Sequence, residues 1–187
     1  MTVIWEFTPA PCRKEDDDAL GLVGELAIQG LHMPLILAFA IGVMAGLRSM
    51  TPPAAVAWAA RLGWLHLEGT PLAFLDTAVA AYLLTGLLLA ELVADKLPFT
   101  PSRTRPGPFI GRMLTGGLAG AALTGGTGGS FLAGAVLGAL GGVAGTLAGY
   151  RARTGLVRAL GVPDYVVALA EDAVAVGGSI LIVAAVS

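Results

Sequence analysis

A succession of long apolar stretches with few charges between them constrains the fold of this chain more than any other feature. Residues 34–50, 71–95, 108–125, 131–150 and 164–186 each come close to the roughly 20 residues with which a helix crosses the hydrocarbon core of a bilayer. Of the 187 residues, 56% are hydrophobic and 13% are charged, about half the charged share that is usual in soluble domains. A water-exposed globule of this size cannot bury so much apolar surface. The sequence therefore predicts an all-α, polytopic transmembrane helix bundle of about five membrane segments.

Two parts of the chain depart from this pattern. Residues 1–32 are polar and then weakly amphipathic, and we predict either a flexible tail or an extension that precedes a start at Met33. Residues 33–187 are predicted to form a single transmembrane domain. Within it, a Pro-Pro pair ends the first segment, and the short helix predicted at about 53–64 is either amphipathic or re-entrant.

Lysine and arginine are distributed unequally between the two sides that these segments define. One side holds Arg13, Lys14, Lys96, Arg103, Arg105, Arg112, Arg151, Arg153 and Arg158, whereas the other holds Arg48 and Arg61. Positive residues accumulate on the cytoplasmic side of membrane proteins. We therefore predict a multi-pass protein of the bacterial inner membrane with its N-terminus in the cytoplasm and its C-terminus outside. If the short helix crossed the membrane, every later segment would be inverted.

The pattern Gly-x-x-Ala-Gly-x-Arg-x-x-Thr occurs twice, at residues 42–51 and 145–154, each time at the end of an apolar run. With five crossings, the first copy would run outward and the second inward. The pattern therefore predicts an inverted internal repeat, of about residues 36–96 and 131–187, which is the plan of many transporters. Each copy would place an arginine and a hydroxyl at a membrane interface. The alternative interpretation is that both arginines only reach from a helix end to lipid headgroups.

Among the carboxylates within the predicted membrane segments, four are candidates for a site. Glu91 and Asp95 lie near the end of the second segment, and Glu171 and Asp172 lie about eight residues into the fifth. Ionisable residues are costly there and usually face the interior of the bundle. In the structural interpretation, such a carboxylate pairs with an arginine or caps a neighbouring helix. In the functional interpretation, it exchanges protons or binds a cation in surroundings of low dielectric constant.

The candidate residues follow from the repeat and from these carboxylates. The predicted substrate- or ion-binding residues are Arg48, Thr51, Glu91, Arg151, Thr154, Glu171 and Asp172. The predicted lipid or partner contacts are Arg103 and Arg105, which lie in a proline-rich loop.

The fourth segment carries two interleaved rows of glycines at four-residue spacing. The rows are Gly134, Gly138 and Gly142, and Gly141, Gly145 and Gly149. Residues four apart share one face of a helix, and small residues there let another backbone approach closely. We expect these rows to pack tightly within the chain or across a homodimer.

Other function classes lack the residues that their chemistry requires. No basic patch is large enough to follow a nucleic-acid backbone. Cys12 is the single cysteine, and His32 and His66 are far apart in the sequence, so we predict neither a metal nor a cofactor. No HExxH motif is present, and no second acidic motif accompanies the acidic run at 15–18. We therefore expect a protein that is not an enzyme and has no catalytic residues.

Four stretches together resemble the DUF4126 family of small bacterial membrane proteins. They read GVMAGLRSMTPPAAVAWAARLGW, LAELVADKLP, GGVAGTLAGYRARTG and VPDYVVALAEDAVAVGG, and the resemblance spans about residues 38–180. Its most telling positions are Gly46, Arg48, Glu91, Pro98, Thr154, Pro163 and Glu171. Val162 and the additional arginines after Glu91 depart from the family pattern. The family name records an unknown function, so the resemblance implies a membrane fold rather than an activity.

Three function classes remain open, of which an enzyme acting on a lipid is the least favoured. The first is a small transporter or channel for a small solute or ion, in which the intramembrane arginines and carboxylates line or gate the path. The second is a non-catalytic membrane scaffold that binds lipid or a partner through the loop PSRTRPGP at 101–108.

Overall fold

The computed structural model describes residues 32–94, 106–161 and 163–187, and these residues form six α-helices and no strand. The helices are α1 (His32–Leu47), α2 (Thr51–Arg61), α3 (Ala78–Ala94), α4 (Pro106–Gly126), α5 (Phe131–Leu160) and α6 (Asp164–Ala184), with a short 3₁₀ helix at Ala73–Asp76. The predicted all-α class is therefore confirmed. Residues Met33–Ser187 form one compact unit. The predicted N-terminal tail, apart from His32, lies outside the described residues.

The predicted segments correspond to helices with two differences in extent. The second segment was expected from residue 71, but the chain first makes the 3₁₀ helix, and α3 begins only at Ala78. The fourth segment was expected to end near residue 150, whereas α5 continues to Leu160. No proline interrupts α5, and the helix ends at Gly161, which adopts the left-handed conformation (φ 62°) common at helix ends. At its other end, the Ser130 side chain accepts a hydrogen bond from the Ala133 amide.

The two glycine rows of α5 pack against two different helices. In the first row, a Cβ added to Gly138 would overlap the backbone oxygen of Gly116 on α4. In the second row, a Cβ added to Gly141 or Gly145 would overlap a backbone oxygen of α1. The rows thus bring α4 and α1 into backbone contact with adjacent faces of α5, which confirms tight packing within the chain. The homodimer stays a prediction.

Helix α2 lies in the interior of this arrangement. Eight of its eleven residues are buried: Thr51, Pro52, Pro53, Ala54, Val56, Ala57, Ala59 and Ala60. It packs against α3, α4 and α6, and its apolar side chains join the main hydrophobic core. A helix buried on most of its surface does not have the environment of an amphipathic surface helix.

Among the described residues, two helices are long and apolar enough to cross a membrane. They are α5, with 30 residues, and α6, with 21 residues. Helices α1 and α3 are also apolar but shorter.

Candidate functional site

The connection between α1 and α2 is a break at which the chain leaves the helix for three residues. Arg48 makes the last helical hydrogen bond of α1, from its amide to the Met44 carbonyl (2.9 Å). Two prolines occupy the first turn of α2. Proline has no backbone N–H, which the first turn of a helix tolerates but the interior of a continuous helix does not. We call residues 46–50 the α1–α2 junction. Side chains of α3, α4, α5 and α6 all reach it.

A buried ion pair joins this junction to α6. The Arg48 side chain is 1% exposed, and its Nε donates to Oδ1 of Asp172 at 2.7 Å. The Nη2 group of Arg48 contacts the same oxygen. Removing one partner of such a pair leaves an uncompensated buried charge, at a cost of about 3–5 kcal/mol. The structure thus brings together two of the predicted site residues, 124 positions apart in the sequence.

Glu91 of α3 binds the part of the junction that leads into α2. One carboxylate oxygen accepts from the Ser49 amide and hydroxyl, and the other accepts from the Met50 amide, each at 2.9 Å. A helix start presents unsatisfied N–H groups and a partial positive charge, both of which favour a carboxylate. Glu91 therefore caps a neighbouring helix, as the structural interpretation of the sequence described.

Arg112 of α4 binds the other part of the junction, at the end of α1. Its Nη1 donates to the carbonyls of Gly46 and Leu47, the latter at 3.0 Å, and the side chain is 3% exposed. The hydroxyl of Thr146 on α5 also donates to the Gly46 carbonyl, at 3.4 Å. The last carbonyls of a helix lack partners within it and carry a partial negative charge, so a cation stabilises them. Opposite charges thus stabilise the two helix ends that face the junction.

Glu171 is the neighbour of Asp172 in the sequence and contacts a residue of α5. It is 3.7 Å from Arg153 of α5, which also forms a 2.8 Å hydrogen bond with Asp164 at the start of α6. Glu171 and Arg153 line a cavity of about 210 Å³, between α5, α6 and Leu47.

The second copy of the repeated pattern has different surroundings from the first. Arg48 and Thr51 are buried where α1 gives way to α2, whereas Arg151 and Thr154 lie within the continuous helix α5. Arg151 is exposed, and the Thr154 hydroxyl donates to the Tyr150 carbonyl of its own helix at 2.9 Å. The structure therefore does not bring these two residues to the junction. Arg103 and Arg105 lie outside the described residues.

Sequence reasoning missed Arg112 and Thr146 as members of the site. The distribution of positive charges assigns Arg112 to one side of the membrane together with the loop residues. Its position inside the predicted segment 108–125 is the signal that groups it with the intramembrane charges. Thr146 gave no signal, because a single threonine in an apolar helix more often bonds to its own helix. Here it does so as well, with the Gly142 carbonyl at 2.8 Å. Within the described ranges, no three His, Cys, Asp or Glu residues are placed to hold a metal ion.

Together these features define a helical protein with membrane-compatible helices and a buried, charge-stabilised break between two of them. A family model, "Domain of unknown function (DUF4126)", matches residues 35–185. The chain therefore belongs to the DUF4126 family, as its motifs suggested. Neither the curated proteins nor the solved structures gave a significant match.

Proposed function

We propose that this protein is a polytopic integral membrane protein of the bacterial cell membrane. Besides the length and composition of α5 and α6, support comes from large apolar side chains on the surface of several helices, such as Val79 (76% exposed), Leu132 (72%) and Leu181 (71%). Such extensive apolar exposure is typical of a surface that contacts lipid. At 1.5 Å per residue, the 11 residues of α2 span about 16 Å, roughly half of the hydrocarbon core. The proposed topology therefore has five crossings, with α2 not spanning the membrane, the N-terminus in the cytoplasm and the C-terminus outside.

We further propose that the protein is not an enzyme but a transporter or channel for a small solute or ion, with the α1–α2 junction as its central element. The observation that carries this proposal is the buried Arg48–Asp172 pair at a helix break. Transporters place their sites at discontinuous helices, and buried ionisable residues in membrane proteins mark solute and ion paths. A charged solute that approaches the pair can replace one partner of Arg48 or Asp172, which a static apolar core would not permit.

The other charged residues at the junction have a different role in this proposal. Glu91 already accepts three hydrogen bonds, and Arg112 donates to two carbonyls, so both hold the ends of α1 and α2 in place. We therefore regard them as positioning residues. Asp172, rather than Glu91 or Glu171, is the carboxylate that we expect to contact the solute.

The test is a flux measurement on proteoliposomes with a variant in which both charges are replaced, Arg48→Met/Asp172→Leu. Replacing both partners of a buried pair by apolar residues is often neutral or stabilising, so this variant should remain folded. Concentration jumps of Na⁺, K⁺, H⁺, Cl⁻ and inorganic phosphate are applied, and the current is recorded. We expect one of these ions to give a current with the wild type and with the exposed-loop control Glu68→Gln, but not with the double variant. An unchanged current in a folded double variant would overturn the proposal.

A non-catalytic membrane scaffold that binds lipid or a partner is the second candidate. It is favoured by the contacts of Glu91 and Arg112, because a junction whose ends are held from several helices is suited to a rigid structure. In that case no ion gives a current, and the double variant behaves as the wild type does in lipid or partner binding.

A further inference from the structure

A cavity of about 310 Å³ lies beside the junction, between α2, α3 and α6. Its α2 wall consists of Thr51, Ala54, Ala55, Trp58, Ala59 and Leu62. These residues share one face of the helix at three- and four-residue spacing, so the cavity follows α2 from its first residue to its end. Eleven steps of 1.5 Å make it about 16 Å long. A cavity of this volume that extends along the whole of α2 matches the shape of one extended chain better than that of a compact solute.

The two ends of the cavity have different surroundings, one charged and the other apolar. On α6 the lining includes Val176 and Ile180, which continue the face of Asp172 at four-residue spacing. On α3 it includes Thr85 and Leu88, and Glu91 follows Leu88 by three residues. One end therefore lies next to the charged junction, whereas the other end is bounded by Leu62 and Trp64.

Among the described residues, Thr51 is the one buried lining residue whose polar side-chain group lacks a protein partner. It is 3% exposed, and its Oγ1 makes no hydrogen bond there. The other lining threonine differs, because Thr85 accepts from Trp58 Nε1 at 2.9 Å and donates to the Ala81 carbonyl at 2.7 Å. Buried hydroxyls normally have partners, since leaving one without is costly. Ligand sites typically combine apolar walls with a few polar groups that fix the orientation of the ligand.

We propose that this cavity binds a single-chain amphiphile. The hydrocarbon chain lies along α2 between α3 and α6, and a hydroxyl or carbonyl group at its end forms a hydrogen bond with Thr51. This site is independent of the proposed transport, because it requires neither flux nor the Arg48–Asp172 pair.

The experiment uses the two tryptophans that line the cavity, Trp58 and Trp64, as reporters of a brominated ligand. The remaining tryptophan, Trp5, is removed by Trp5→Phe in every sample. The purified protein is titrated with a medium-chain ω-bromoalkanol and, separately, with the 1-bromoalkane of the same length, and the quenching of fluorescence is followed. We expect saturable quenching by the bromoalkanol and weaker, non-saturating quenching by the bromoalkane.

Three variants assign the quenching to the cavity and to its hydroxyl. Thr51→Val removes the hydroxyl at constant shape and should weaken bromoalkanol binding by about two- to tenfold, the value of one hydrogen bond, whereas Thr51→Ser should retain it. Ala55→Leu fills the cavity and should abolish saturation. Ala170→Leu fills the cavity beside Glu171 and Arg153 instead and should leave the quenching unchanged.

Two results would overturn the proposal. If Ala55→Leu leaves the quenching unchanged, the probe reaches the tryptophans only from the surrounding lipid or detergent. If Thr51→Val and Thr51→Ser bind the bromoalkanol as the wild type does, the hydroxyl does not recognise an end group.

Discussion

Glu91 accepts hydrogen bonds from two residues of the α1–α2 junction. Substitutions of Glu91 therefore test how much the junction contributes to the stability of the protein. Glu91→Ala removes the acceptor for the Ser49 and Met50 amides, and we expect it to lower the free energy of unfolding by about 1–3 kcal/mol. Glu91→Gln keeps one acceptor oxygen and should lower it less. The free energy is measured by denaturant titration in detergent with circular dichroism as the readout.

Glu68 supplies the matched control for this prediction. It lies exposed in the loop before the 3₁₀ helix, so Glu68→Ala should change the free energy of unfolding by less than about 0.5 kcal/mol. Equal effects of Glu68→Ala and Glu91→Ala would contradict the capping role of Glu91.

At the residue scale, the sequence indicated which ionisable residues belong to the candidate site but not which residues they contact. Arg48, Glu91 and Asp172 could be selected because each is an ionisable residue in or next to an apolar segment. That Arg48 contacts Asp172, 124 positions away, depends on the rotation of α6 about its own axis. Packing of whole helices determines that rotation, and the spacing of two neighbouring carboxylates does not reveal it.

At the scale of helices, the glycine rows of α5 determine how closely α1 and α4 can approach. Gly138 contacts Gly116 through backbone atoms, so Gly138→Ala should lower the free energy of unfolding by about 1–3 kcal/mol through overpacking. Gly155 lies in the same helix with nothing within 4 Å of an added Cβ. Gly155→Ala should therefore be neutral or stabilising by up to about 1 kcal/mol, because alanine is the better helix former.

Thermal unfolding of the two variants in detergent, beside the wild type, tests this difference. A decrease of similar size in both variants would mean that glycine acts through backbone flexibility and not through close packing.

The helices themselves could be predicted because apolar length and proline and glycine breaks are local properties. All five apolar segments correspond to helices, and the short helix between the first two is α2. The repeated pattern was less reliable as a guide to environment. Its first copy is followed by two prolines and leaves the helix, whereas its second copy is followed by no proline before Pro163 and stays within α5. Identical residues in the two copies therefore have different environments, because the residues that follow each copy determine whether the helix ends.

At the scale of the whole molecule, the helices and the charge distribution lead to a topology that can be tested directly. An odd number of crossings places the two termini on opposite sides, whereas a crossing by α2 would place them on the same side. Helix α2 is about 16 Å long and mostly buried, so it is better suited to lie inside the bundle than to span the membrane. Five crossings are therefore the expectation, although the chain has six α-helices in its described parts.

The single native cysteine makes this topology measurable with few changes. We expect Cys12 to react with a membrane-impermeant maleimide in inside-out vesicles but not in intact spheroplasts, since the N-terminal side carries most of the positive charges. In a Cys12→Ser background, Ser187→Cys should show the opposite pattern. Labelling of both positions from the same side would mean that α2 crosses the membrane or that another segment does not. In either case the five-crossing topology would have to be abandoned, and a crossing by α2 would place the junction with Arg48 and Asp172 between two spanning helices.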